Sequence, residues 1–208
     1  MLFRPLAVLV LLSGTIAACA EPPVTGTLTV RVLETSSEAL NRTVEILSRR
    51  FSEVLPSRGS TVAATVTDRT ITFTFRGAVP AEDELHYLTF TRGELSVGPA
   101  DDTASTWVSD RDVQKASFDQ MGEVPYVQVW LNPDTGRRLT EITSTNVGRM
   151  LLVRWDGKEV VTAPILGAIG NEMVFNTPSL SEARLMKIVL QVGRLPTTIE
   201  DAEFRHGV

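Results

Sequence analysis

Hydrophobic and polar residues alternate in several short runs, the pattern of strands that bury one face. The clearest runs lie at residues 27–33, 62–66, 71–75 and 126–131. Between and after them, apolar residues recur at helical spacing, most clearly at residues 40–54 and 180–192. The pattern therefore predicts an α+β protein.

The first half of the chain predicts the element order β-α-β-β-α-β. Its first helix begins at a capping box from Thr35 to Glu38, and a short second helix is predicted at residues 81–87. Residues 88–97 then supply the fourth strand. This order is that of the ferredoxin-like split βαβ fold. We therefore predict a ferredoxin-like base lobe at residues 27–105.

The second half carries a start or stop signal for almost every element. The signals are an N-cap at Asn132-Pro133, a two-residue hairpin turn at Asp156-Gly157, a capping box from Ser179 to Glu182, and a helix stop at Gly193 and Pro196. They predict a smaller α+β head lobe at residues 106–196, with a mixed or antiparallel sheet. Residues 197–208 would follow as a tail. The polar segment 98–105 is the predicted hinge between the lobes.

The N-terminus has the features of a bacterial lipoprotein signal. Arg4 precedes an apolar run too short to span a membrane comfortably, and Ile16-Ala17-Ala18-Cys19 fits a lipobox. We predict a signal peptide at residues 1–18, acylation of Cys19, and a tether at residues 19–26. Two or three acyl chains, palmitate among them, would hold the protein at a membrane lipid surface. An ordinary signal peptide with an incidental cysteine, or a membrane anchor, is the alternative.

Composition removes several classes of function. The formal net charge is −5 and the isoelectric point is about 5.1, which argues against a nucleic-acid partner. Cys19 is the only cysteine, so no disulfide is available to the domain. Phe73 and Phe75, two apart on one predicted strand, could stack on RNA bases, but the residues around them favour core packing.

Candidate catalytic and metal-binding groups are few. His86 and His206 are far apart in sequence and lack the neighbouring ligands of a metal site or of an activated nucleophile. The carboxylate clusters at residues 82–84 and 101–102 lie at a helix start and in a loop, where they serve the helix dipole and solubility. We therefore expect no enzyme activity, no metal and no cofactor.

One apolar loop has two possible roles. It contains Pro164, Ile165, Leu166 and Ile169, with glycines at positions 167 and 170. Its large side chains would either pack against the last helix or stay exposed as a docking surface for an extended polypeptide. Burial is the favoured interpretation, and docking is the functional alternative.

The second half also resembles a known family. The resemblance rests on an ordered set of short motifs: Leu131-Asn132, the helix from Thr140 to Thr145, Asn146-Val147-Gly148, Asp156-Gly157-Lys158, Pro164-Ile165, Ser181-Glu182-Ala183 and Gly193-Arg194-Leu195-Pro196. This set resembles the head of the first periplasmic domain of SecD, a subunit of the SecDF protein-translocation complex. The pattern Ala39-Leu40-Asn41-Arg42, with Arg49-Arg50-Phe51 after it, is similar to the base of that domain, and residues 107–118 look like its connecting segment.

The resemblance implies a binding role outside the cytoplasm. SecD couples this domain to transmembrane helices that use the proton-motive force, whereas this chain is expected to pair the periplasmic part with a lipid anchor. We expect a non-enzymatic, lipid-anchored periplasmic module that contacts unfolded exported polypeptide or a translocase. The alternative is an interaction lipoprotein that docks on an envelope complex unrelated to translocation.

Overall fold

The computed structural model describes residues 23–33, 36–55 and 59–207. Within these ranges it contains four α-helices and three antiparallel sheets. The strands are β1 (Val24–Val32), β2 (Thr61–Thr67), β3 (Thr70–Arg76), β4 (Leu95–Pro99), β5 (Val108–Ser109), β6 (Val113–Met121), β7 (Val124–Leu131), β8 (Met150–Trp155), β9 (Lys158–Pro164), β10 (Glu172–Asn176) and β11 (Ile199–His206). The helices are α1 (Ser37–Ser52), α2 (Glu82–Phe90), α3 (Pro133–Ser144) and α4 (Leu180–Val192). The α+β class is confirmed.

The base lobe is a ferredoxin-like sheet whose buried face carries a dense aromatic core. Its strands lie in the order β11-β1-β3-β2, each antiparallel to its neighbours. The Phe51 ring of α1 meets the rings of Phe73 and Phe75 edge-on, with centroid separations of 5.0 and 5.8 Å. All three side chains are fully buried. The core interpretation of the two strand phenylalanines is therefore confirmed.

The prediction that residues 88–97 form the fourth strand of this sheet is wrong. The first part of that segment belongs to α2, and β4 pairs with β5 and β8 in another sheet. The fourth position is taken by β11, at residues that the sequence suggested were a tail. The sequence does not predict β11 as a strand, because charged side chains interrupt the alternation of apolar and polar residues. Only Ile199 is buried in this strand.

The head lobe has two sheets. The order β10-β7-β6 forms one, and α4 packs on its strands β6 and β7. The buried β7 side chains Val127, Val129 and Leu131 belong to the same core cluster as Val189 of α4. The other has the order β5-β4-β8-β9. Its β8–β9 hairpin turns at Asp156-Gly157, both at positive φ (48° and 77°), as the type I′ prediction requires. Both head sheets are antiparallel.

The predicted hinge at residues 98–105 lies inside the head. It joins β4 to β5, which pair with each other, so it is a loop at the end of one sheet. A Cβ on Gly98 would lie 2.2 Å from the Ser105 carbonyl oxygen, so only glycine fits there. Arg149, the residue directly before β8, donates from Nη2 to both carboxylate oxygens of Asp101 at 2.7 and 2.8 Å. The chain instead crosses between lobes at residues 91–94 and again near Leu195.

The helix caps follow from local sequence. The side chain of Asn132 accepts from the backbone N–H of Thr135 at 2.9 Å, and that of Ser179 accepts from Glu182 at 3.1 Å. The first helix is capped by Ser36, which accepts from Ala39 at 3.3 Å, whereas the predicted cap Thr35 lies outside the described residues. In the described part of the chain, no helix combines the length and the apolar character needed to cross a membrane.

Candidate functional site

The predicted docking loop, residues 164–170, connects β9 to β10 and is fixed at both ends. At its start, the backbone of Ile165 donates to Arg149 O and accepts from Gly148 N, both at 2.9 Å. At its end, the Ile169 N–H donates to the Thr143 hydroxyl at 2.8 Å, and the Ile169 carbonyl accepts from the Thr140 hydroxyl at 3.1 Å. The loop is therefore held against α3 and the start of β8.

The four predicted loop residues divide between the two roles. Ile165 is 1% exposed, and Ile169 is partly buried against the core. Leu166, the next residue along, is 87% exposed, and Pro164 is also exposed. Ile165 is therefore buried, as the favoured interpretation expects, whereas Leu166 is exposed, and docking of a polypeptide at the loop stays a prediction.

The segment that pairs with the loop carries further exposed apolar side chains besides Leu166. The segment containing Val147 and Met150 runs alongside the loop, since Met150 pairs with Pro164 and Gly148 bonds to Ile165. Val147 is 57% exposed and Met150 is 42% exposed. We call the surface formed by Val147, Met150, Pro164 and Leu166 the head tip. Exposed apolar side chains gathered on a fixed backbone are typical of an interaction surface.

A buried arginine fixes the other end of the head to the base lobe. Arg50, on α1, is fully buried. Its Nη1 donates to the carbonyls of Leu88 and Thr91 at 2.8 and 2.6 Å, and its Nη2 donates to those of Arg92 and Gly193 at 3.2 and 2.7 Å. One guanidinium therefore bonds the C-terminal ends of α2 and α4, where helix carbonyls lack partners.

The same crossing segment is bonded from its other side by an aspartate of the head hairpin. The Asp156 carboxylate accepts from the backbone N–H groups of Arg92, Gly93 and Glu94 at 2.8, 2.9 and 2.7 Å. We call the arrangement of Arg50, Asp156 and residues 91–94 the junction. Burial lowers the pKa of Arg50 to about 10, and the nearby Asp156 charge opposes this shift, so Arg50 stays charged at neutral pH.

Gly93 lies at the centre of the junction, where any residue with a side chain would be strained. Its φ is +89°, a backbone conformation that disfavours side chains. An added Cβ would also lie 2.6 Å from Val189 Cγ1 and 3.2 Å from Arg50 Nη2. The close approach of α4 to the crossing segment therefore requires glycine.

The remaining candidate groups, the two histidines and the acidic cluster of α2, pack on aromatic rings or form an ion pair. His86 packs on Phe90 and His206 on Phe204, at ring-centroid distances of 4.6 and 4.7 Å. Glu84 pairs with Arg184 at 2.6 Å, which joins α2 to α4. Among the described residues, no group of three or more His, Cys, Asp or Glu side chains could hold a metal ion. Cys19, the predicted lipidation site, lies outside the described residues.

Comparison with known proteins finds a family that matches the head. Residues 103–197 match the family model described as SecDF, P1 head subdomain. Residues 103–197 are homologous to the SecDF P1 head. The resemblance inferred from the short motifs of the second half is therefore confirmed for this part of the chain.

Curated relatives extend the similarity into the base. The chain is 30% identical over 174 residues to protein translocase subunit SecD of Acidaminococcus fermentans, an alignment covering 81% of this chain and 40% of that protein. It is 33% identical over 94 residues to the SecDF subunit of Thermus thermophilus, covering 44% of this chain and 12% of that protein. The chain thus spans less than half the length of these curated relatives.

Solved structures share the architecture of both lobes. A crystal structure of SecDF in its super-membrane-facing form superposes with a TM-score of 0.71 at 15% identity, covering 88% of this chain and 30% of that one. A structure from work on SecDF as a membrane component that enhances protein export gives a TM-score of 0.67 at 18% identity. That match covers 85% of this chain and 98% of the other. The ferredoxin-like base and the P1-type head therefore occur together elsewhere.

Sequence reasoning found the tip loop and missed the junction. Asp156 was predicted only as a turn residue, and Arg50 only as part of a motif shared with the family's base. The available signal was an arginine on the apolar side of α1, beside Leu47 and Phe51, which are both fully buried. An arginine in that position requires buried acceptors.

Proposed function

We propose that this protein is a non-enzymatic polypeptide-binding module of protein export, held at a membrane by acylated Cys19. It acts outside the cytoplasm, in the bacterial periplasm. The head tip contacts exported polypeptide before it folds, and the base lobe holds the head in a fixed orientation through the junction. No cofactor takes part.

The exposed head tip is the observation that carries this proposal. Leu166 is 87% exposed although its neighbour Ile165 is buried, and both lie on a backbone bonded to α3 and β8. Holding an apolar side chain in water costs free energy that burial against a partner would recover, at about 25 cal/mol per Å² of apolar area. An unfolded polypeptide exposes the apolar side chains that such a surface accepts. Homology to the SecDF P1 head supports the link to export.

An interaction lipoprotein that docks on an envelope complex is the second candidate. The observation that favours it is again the exposed apolar surface of the head tip, which a folded partner could also cover. Under this candidate the head tip meets a folded surface, and the unfolded state of an exported protein has no influence on binding.

Binding to the two states of one exported protein separates the candidates. The purified protein is titrated with a reduced, unfolded precursor and, separately, with the same protein after folding. The proposal predicts binding of the unfolded form and none of the folded form. Equal binding of both, or of neither, would contradict the proposal and favour docking on an envelope complex.

The lipid anchor has its own test. Replacing the acylated thiol with Cys19→Ala is expected to release most of the protein from the membrane fraction, because the acyl chains supply the membrane affinity. Mass spectrometry of the unaltered protein should show a diacylglyceryl modification at the same residue. Unchanged fractionation of Cys19→Ala would refute the anchor.

A further inference from the structure

The two edges of the base sheet differ in charge. One edge is β11, whose side chains include Glu200, Asp201, Glu203 and Arg205. The other edge is β2, whose sequence TVAATVT has no charged residue. Within the described chain, β2 is the only edge strand longer than two residues that lacks a charge. Charged side chains are a common means of preventing unwanted strand pairing, and β2 lacks this protection.

The register of the β2–β3 hairpin identifies which backbone groups of β2 remain open. Thr67 and Thr70 pair across the two-residue turn, and the pairing runs to Thr61 without a bulge. The pair beside such a turn exchanges both of its hydrogen bonds, and this alternates along the strand. The odd-numbered residues of β2 therefore bond to β3. The N–H and C=O groups of Val62, Ala64 and Val66 point to the free edge.

These open groups form a pattern that is complementary to itself. Two copies of β2 placed antiparallel, with a two-fold axis at Ala64, pair Val62 with Val66 of the other copy and Thr61 with Thr67. Ala63 then faces Thr65 and Ala64 faces its own counterpart. In this register the open N–H and C=O groups of Val62, Ala64 and Val66 meet those of the second copy. All cross-strand pairs are neutral, and β-branched pairs of this kind are favourable.

The charged edge is less suited to pairing with itself about its central alanine. A two-fold axis at Ala202, near the centre of β11, would place Asp201 opposite Glu203 of the other copy. Like charges directly opposite each other are destabilising. Charge therefore opposes a second copy about Ala202 on β11, whereas β2 carries no charge that would oppose one.

We propose that two copies of this chain associate through β2, with a two-fold axis at Ala64, to form a continuous eight-stranded sheet. Closed two-fold symmetry uses the same strand of both copies, so the pairing ends at the dimer. One seven-residue strand from each copy is a small interface, and the dimer is accordingly weak and depends on concentration. This association does not depend on polypeptide binding at the head tip.

Disulfide trapping at the two-fold axis tests the proposal. A hydrogen-bonded antiparallel pair has Cα atoms about 5.5 Å apart. That separation lies within the range of about 4.4–6.8 Å that a disulfide spans. In the full chain with Cys19→Ala, Ala64→Cys holds the only cysteine. The matched control is Ala202→Cys on β11, since both alanines are partly buried against the core from an edge strand.

Mild oxidation should link the Ala64→Cys chains into dimers at a yield several-fold higher than that of Ala202→Cys. Equal yields at the two positions, or no dimer at position 64, would overturn the proposal. A disulfide from Ala64→Cys to a different polypeptide would also overturn it, because the occupant of the edge would then not be a second copy.

A charge exchange tests the register independently. Ala63 and Thr65 are exposed and face each other only across the proposed axis. Adding Ala63→Lys with Thr65→Lys to the Ala64→Cys chain should lower the dimer yield several-fold, because lysines then oppose each other. Ala63→Lys with Thr65→Glu should restore the yield through opposite charges. Melting temperatures of both variants verify the fold, and identical yields from the two variants would rule out this register.

Discussion

The junction and the head tip are both irregular segments that leave a helix or a sheet, yet they treat their side chains in opposite ways. At residues 91–94, a buried arginine from α1 and a partly buried aspartate from the head hairpin bond backbone groups on both sides of the segment. At residues 164–170, the backbone is also bonded, but Leu166 is left in water. Hydrogen bonds fix the backbone of both segments, but of the two only the head tip exposes apolar side chains to which a partner could bind.

The difference separates a part built for position from a part built for contact. Buried backbone groups without partners are costly, so the junction resists any movement that would break its bonds to Arg50 and Asp156. The tip could lose Leu166 without leaving any buried polar group unpaired. Substitutions at the junction should therefore change stability, and substitutions of exposed tip residues should change binding alone.

Removing the junction arginine is expected to have the largest effect. Arg50→Ala removes the side-chain donor of four carbonyls, of which, among the described residues, only that of Arg92 keeps a backbone donor, and opens a cavity, so we expect a loss of about 3–5 kcal/mol in the free energy of unfolding. Its neighbour Arg49 is the matched control, because its side chain is 57% exposed and lies 3.9 Å from Glu45. Arg49→Ala should change stability by less than about 0.5 kcal/mol. Equal denaturant midpoints for the two variants would show that Arg50 does not hold the lobes.

Two adjacent residues of the tip loop should separate stability from exposure. Ile165→Ser removes a fully buried side chain, and we expect it to cost about 3 kcal/mol. Leu166→Ser changes a side chain that is already in water and should stay within about 0.5 kcal/mol of the parent. Thermal melting of both variants measures the difference. A large loss from Leu166→Ser would mean that the residue is packed in solution.

The aspartate of the junction should matter more than its counterpart in the base hairpin. Asp156 and Asp68 share a turn position and a positive φ, 48° and 53°. Alanine at either position pays the same backbone cost, but only Asp156→Ala also removes the acceptor of three N–H groups. We expect Asp156→Ala to exceed Asp68→Ala by about 2 kcal/mol in urea unfolding. Similar losses would mean that the carboxylate adds nothing beyond its turn.

The smallest effect should appear on acidification. Asp112, in the turn before β6, is partly desolvated, which raises its pKa. Hydrogen bonds from Thr135, Ser109 and Asn132 outweigh this, and the net pKa is lowered. Because the native pKa lies below the unfolded value of about 3.9, the ionised carboxylate stabilises the fold at pH values above about 3.9. This stabilisation is lost as the pH falls through the native pKa.

The measurement is the melting temperature of the parent and of Asp112→Asn between neutral pH and pH about 3. The gap between the two proteins should narrow as the pH falls below about 4. A gap that does not change with pH would show that the charge of Asp112 makes no contribution.

Much of the fold follows from local sequence signals, whereas strand partners do not. The caps at Asn132 and Ser179 and the turn at Asp156-Gly157 each depend on a few neighbouring residues. Whether β4 joins the base or the head depends on residues more than fifty positions away, and its alternation is the same in either sheet. The strand β11 was hidden for a related reason, since an edge strand can carry charges and still pair.

The sequence predicts those parts of the candidate site whose side chains carry a recognisable pattern, and it does not predict the others. An apolar loop with glycines signals either burial or docking, and only the structure separates Ile165 from Leu166. The partners of Arg50 are backbone carbonyls. Every residue has a backbone carbonyl, so no sequence motif predicts which ones Arg50 will bond. Recognition of the junction required the three-dimensional approach of α1, α2 and α4.

The most direct test of the central claim compares Leu166→Ser with Met121→Ser in binding to an unfolded, reduced precursor. Met121 is 76% exposed at the end of β6, in a different sheet from the strands that carry the tip, and it controls for the loss of one exposed apolar side chain. Leu166→Ser should weaken binding several-fold while its melting temperature stays unchanged, and Met121→Ser should bind like the parent. Full binding by Leu166→Ser, or equal weakening in the two variants, would contradict the assignment of polypeptide binding to the head tip.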